Sequence, residues 1–62
     1  MLHLSEILIQ EHDLSSFTDL VAVIQKRARE GERFFQMDVR PPFSDTPENW
    51  EERLESVFTS TR

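Results

Sequence analysis

Sixty-two residues carrying twelve carboxylates, seven basic side chains and a net charge of −5 make one small acidic domain at most, spanning 1–62. The absence of cysteine excludes disulfides and thiolate metal sites, and a single glycine excludes both a phosphate-cradling loop and a G-x-S-x-G nucleophile turn. A chain this short buries only about 60% of its unfolded surface, so a second copy or another protein would add usefully to its stability.

The opening MLHLSEILIQEHD has no basic leader, no spanning length of apolar residues and no small-residue cleavage pattern. Neither a signal peptide nor a membrane span is expected, and a cytoplasmic location is the default. Residues 2–10 fit two patterns. Leu4, Ile7, Leu8 and Glu11 follow helical spacing, with Ser5 as N-cap. Leu2, Leu4, Ile7 and Ile9 would instead form a strand whose alternation breaks once. The helix is favoured and the strand is the alternative.

SSFTDLVAVIQKRAREG reads as a helix by several independent signals. Ser16 stands as N-cap with Asp19 three residues on, and Phe17, Leu20, Val21, Ile24 and Ala28 share one face. Asp19 lies near the positive end of the helix, and Lys26, Arg27 and Arg29 near the negative end. Gly31 stands where a left-handed residue would stop it.

ERFFQMDV changes period. Phe35, Met37 and Val39 alternate with Phe34, Gln36 and Asp38, as in a strand that Pro41 would end. A lone strand leaves its backbone groups unpaired. Its partner would be the N-terminal segment, the same strand of a second copy, or a strand of another protein. In RPPFSDTPENWEERLE, Thr46 as N-cap, Pro47 at the first helical position and Glu48 in the first turn predict a final helix. Trp50, Leu54, Val57 and Phe58 form its packing face. Glu48, Glu51, Glu52 and Glu55 occupy the remaining positions, with like-charge pairs at i,i+4.

These patterns predict a small α+β domain ordered helix–helix–strand–helix, the strand completed by dimerisation or by a partner. With an N-terminal strand the order would become βαβα. The chemistry is sparse. The glutamates fit no calcium-loop spacing, and His3 and His12 lack the i,i+4 separation of a metal pair. Ser15, Ser16 and Ser44 suit caps and turns. No cofactor, metal or catalytic residue is predicted, and the chain is not expected to be an enzyme.

The leading expectation is a small acidic interaction module: a regulator, inhibitor or adaptor that acts by binding another macromolecule. Its anchors would be Phe34, Phe43 and Trp50, and its charge complementarity would come from Glu48, Glu51, Glu52 and Glu55. The expected partners are a basic protein and a second copy of the chain, with no membrane. One alternative is a dimeric DNA-binding regulator that contacts phosphates through Lys26, Arg27, Arg29 and Arg33, although their simpler use is dipole complementarity with salt bridges to Glu30 and Glu32. Another is an accessory subunit of a larger enzyme. The acidic total and the placement of the cations at the wrong end of the helix for base reading disfavour nucleic acid.

Overall fold

The longest helix begins and ends where its own residues dictate. The computed structural model describes residues 1–61, and in it α2 runs Phe17–Arg29. The Ser16 hydroxyl accepts the Asp19 N–H at 3.1 Å, and the Asp19 carboxylate accepts the Ser15 N–H and hydroxyl at 3.1 and 3.0 Å. This is a capping box displaced outward by one residue, since the short aspartate reaches Ser15 rather than the cap itself. At the other end Gly31 has φ 107°, and the N–H groups of Gly31 and Glu32 donate to the Ala28 and Arg27 carbonyls at 3.2 and 3.4 Å. That is a Schellman stop, and the backbone angle favours glycine.

Ahead of α2 stand β1 (Leu2–His3) and α1 (Leu4–Gln10), and after it β2 (Phe35–Gln36) and α3 (Trp50–Thr61). The strands pair in parallel, Leu2 with Phe35 and His3 with Gln36. A parallel pair needs a long crossover, which α1 and α2 supply. The architecture is the expected small α+β domain with helix–helix–strand–helix order, preceded by one very short strand. Both patterns in residues 2–10 are realised in part: two residues of strand run directly into the favoured helix.

The core gathers Leu2, Leu4, Ile7, Phe17, Leu20, Ile24, Ala28, Leu54 and Phe58. The periodic face of α2 is buried as expected except for Val21, which is half-buried at its margin. α3 turns Leu54 and Phe58 inward, and the Phe58 ring lies 5.4 Å from that of Phe35. Pro41 is also fully buried, which anchors the long connection from β2 to α3.

Four local expectations are corrected. The strand is two residues long rather than the whole of ERFFQMDV, because its partner enters α1 at Leu4. Its ladder is supplied from within the chain by Leu2 and His3. Val39, expected on the covered face, is 38% exposed. Ser5 is not the cap of α1; that position belongs to His3, whose side chain makes no capping bond. Asp38 does the capping, accepting the Ser5 N–H at 3.0 Å and the Ser5 hydroxyl at 2.6 Å.

α3 also starts later than expected. Thr46 does not cap it: its hydroxyl donates to the Pro41 carbonyl at 3.4 Å and its N–H to the Phe43 carbonyl at 3.1 Å. With that oxygen engaged in a turn, Pro47 and Glu48 lie outside the helix, and the Asn49 carbonyl accepts the early bond from Arg53 at 3.0 Å. The neighbouring Asp45 serves a different helix, accepting the Phe17 N–H at the start of α2 at 2.8 Å.

Candidate functional site

Successive strand side chains point to opposite faces, and the two adjacent phenylalanines show the consequence. Phe35 packs inward on Phe58, while Phe34 is 65% exposed. An isolated exposed apolar side chain is ordinary on a protein surface. Here, however, Phe34 borders a groove between β2 and the last turns of α3, lined also by Arg33, Phe35, Met37, Glu55 and Phe58. The exposed ring therefore adjoins a groove of mixed apolar and charged lining.

The other two expected anchors differ in kind. Phe43 and Trp50 are half-buried and packed against the core. Their spacing explains this: Trp50 shares the α3 face of Leu54, and Phe43 follows the buried Pro41. They are rim members of the core, and Phe34 alone of the three projects into solvent.

Glu51, Glu52 and Glu55 are exposed on α3, and Glu48 is exposed in the turn before it. Only the first three share a helix, so the Glu48–Glu52 helical pair expected from spacing is not formed, whereas Glu51 and Glu55 are true i,i+4 neighbours. Glu55 belongs to both surfaces, since it also borders the Phe34 groove. Glu52 and Glu55 flank a shallow depression with Ser56, Thr59 and Ser60.

The basic cluster is more dispersed. Lys26, Arg29 and Arg33 are exposed, and Arg27 is half-buried, donating to the Gln10 side chain at 3.2 Å. The expected salt bridges to Glu30 and Glu32 are not made. Among the described residues the ion pairs are Glu32 with the Met1 amine at 4.0 Å and His3 with Asp38 at 3.9 Å, and neither uses a lysine or arginine. Exposed pairs of long side chains gain too little to hold one geometry. At the opposite end of α2, Ser16 and Asp19 are committed to the cap and Phe17 to the core. These are side chains a recognition helix would need for reading bases.

Ser5, His3 and Asp38 do come together, a grouping that sequence spacing did not reveal. Nucleophilic chemistry would need the imidazole to accept the hydroxyl proton. Here the Asp38 carboxylate takes the Ser5 hydroxyl bond, and the imidazole lies 3.9 Å from that carboxylate. Bonds from the Ser5 hydroxyl and then the Ser5 N–H hold Asp38 below the ordinary aspartate pKa, with a smaller contribution from His3. Asp19 is likewise lowered, chiefly by the Ser15 N–H and then the Ser15 hydroxyl. The structural effect of the first cluster is to fasten the end of β2 to the start of α1.

His12 is exposed, and no group of three His, Cys, Asp or Glu side chains among the described residues is arranged to hold a metal. No helix among them is long and apolar enough to cross a membrane. No protein-family model matches the sequence, and no curated protein or solved structure shows significant similarity to it.

Proposed function

We propose that this chain is a non-catalytic interaction module that works by binding macromolecules through two adjoining surfaces. One is the apolar edge at Phe34. The other is the acidic strip Glu51, Glu52 and Glu55, with Glu48 beyond its end, which suits a basic protein segment. The observation that carries the reading is the strip's uncompensated charge beside an exposed aromatic. Glu51 and Glu55 repel one another at i,i+4, and no lysine or arginine among the described residues lies within ion-pair distance of a carboxylate. Such an arrangement adds nothing to the fold's stability, whereas it raises the rate of encounter with a cationic surface.

The test places a photo-crosslinking residue at the exposed Ser56, which lines the same shallow depression of α3 as Glu52 and Glu55, in cells that make the protein. Ala22, exposed on α2, is the control position. A discrete adduct with another protein is expected at residue 56 and not at residue 22, and it should weaken when Glu51 and Glu55 are both changed to Lys. An adduct indifferent to that reversal, or none at all, would sink the reading.

A further inference from the structure

We infer that Met37 is an oxidation-sensitive latch: conversion of its thioether to the sulfoxide in the folded chain frees Asp38 from Ser5 and loosens α1, while α2 and α3 stay folded. The inference is independent of the proposed binding surfaces.

Position along the chain supplies the first argument. Between β2 and the fully buried Pro41 the chain forms neither helix nor strand. Gln36, Asp38 and Arg40 are exposed, and Val39 is 38% exposed, so Met37 alone of residues 36–40 packs against the core. The residue after it is Asp38, whose carboxylate accepts the Ser5 N–H at 3.0 Å and the Ser5 hydroxyl at 2.6 Å. Consecutive Cα atoms are only about 3.8 Å apart, so a backbone shift that takes Met37 off the core moves Asp38 as well. α1 spans seven residues and is too short to persist without its cap and its packing.

The chemistry of the side chain supplies the second. Met37 is half-buried and lines the groove that also holds Phe34, Phe35 and Phe58, so a small oxidant reaches it without unfolding the chain. The co-reactant is a hydroperoxide. A sulfur lone pair attacks one peroxide oxygen, the O–O bond breaks, and the proton on the transferred oxygen passes to the leaving one. Sulfur is oxidised to the sulfoxide, and hydrogen peroxide is reduced to water. The flexible apolar thioether becomes a polar group, which is costly to keep against phenylalanine rings without a hydrogen bond. Its better position is in solvent. A methionine sulfoxide reductase reverses the step, a dithiol being oxidised to a disulfide while the oxygen leaves as water.

The test treats the folded chain with hydrogen peroxide and follows sulfoxide at each methionine by peptide mass spectrometry. Met1, 68% exposed, is the internal reference. Met37 should oxidise within about tenfold of the Met1 rate, since susceptibility follows access. Hydrogen exchange of α1 amides should then be roughly tenfold or more faster, with those of α2 near their untreated values. Reductase treatment should restore α1. Met37→Leu conserves volume and should fold, and peroxide should leave its α1 amides unchanged although Met1 still oxidises. In Asp38→Ala, where the cap is already absent, oxidation should add little further acceleration.

Oxidation of Met37 only in denaturant overturns the inference, as does an oxidised chain with α1 still protected. Loss of α1 and α2 together would show damage to the whole core rather than a latch. An equal response in Met37→Leu would assign the effect to Met1, and a full additional response in Asp38→Ala would show that the path does not run through the cap.

Discussion

The two long-range caps invite comparison, because α1 and α2 both begin beneath an aspartate supplied by the connection that follows α2. Asp38 receives the Ser5 N–H and hydroxyl of α1, and Asp45 receives the Phe17 N–H of α2. The helices differ in what else they possess. α2 has Ser16 and Asp19 at its start, the Schellman bonds around Gly31 at its end and four buried side chains. α1 is seven residues long, with two buried side chains and no side-chain bond from its own N-cap. Helices that short are unstable alone. α2 is specified locally and reinforced from a distance, whereas α1 depends on the distant cap and on packing.

The largest expected effect removes what both helices rest on. Leu54 is fully buried in the core that they share. Leu54→Ala should cost about 2–5 kcal/mol, much of the ~3–9 kcal/mol that a chain of this length holds. Circular dichroism melts should show all helices lost together. If α1 alone melted, the two would not share one cooperative unit.

A smaller change sharpens the contrast at α2. Ser16→Ala should cost about 0.5–2 kcal/mol, measured by chemical denaturation. No loss at all would mean that Asp45, rather than the local box, holds the start of this helix.

The smallest global effect belongs to Asp38. Asp38→Ala should speed hydrogen exchange of α1 amides while leaving those of α2 near wild type, a sub-global opening of the kind expected at weakly packed ends. Acidification should act in the same direction. The folded pKa of Asp38 is depressed, so its contribution is fully present above the ordinary aspartate pKa and fades as pH falls through the lower folded value. The Ser5 amide resonance should titrate in that acidic window in wild type and not in Asp38→Ala. Unchanged protection of α1 in the variant would assign its stability to Leu4 and Ile7 alone.

This contrast follows what was legible in the sequence. Every signal for α2 lies within the helix or within two residues of its ends, so Ser16, the apolar face and Gly31 could be read directly. Asp38 and Asp45 act on partners 33 and 28 residues away, and no local pattern reports such a bond. Thr46 departs from its expected role for the same reason: Thr-Pro-Glu has the form of a cap, but tertiary contacts turn its oxygen towards Pro41. At the candidate site, alternation sufficed to send Phe34 outward and Phe35 inward. It could not reveal that Phe34 would border a groove shared with Glu55, since that depends on where α3 comes to lie.

The sequence by itself determined α2, the inward faces of α2 and α3, the outward turn of Phe34 and the acidic strip. These follow from periodicity and caps, which act over one or two helical turns. Only the tertiary structure decided that β2 would be two residues long, that Leu2 and His3 would pair with it, and that Asp38 and Asp45 would become caps. Those outcomes depend on which distant backbone groups meet once the core closes, and hydrogen-bond donors and acceptors carry no record of their partners along the chain.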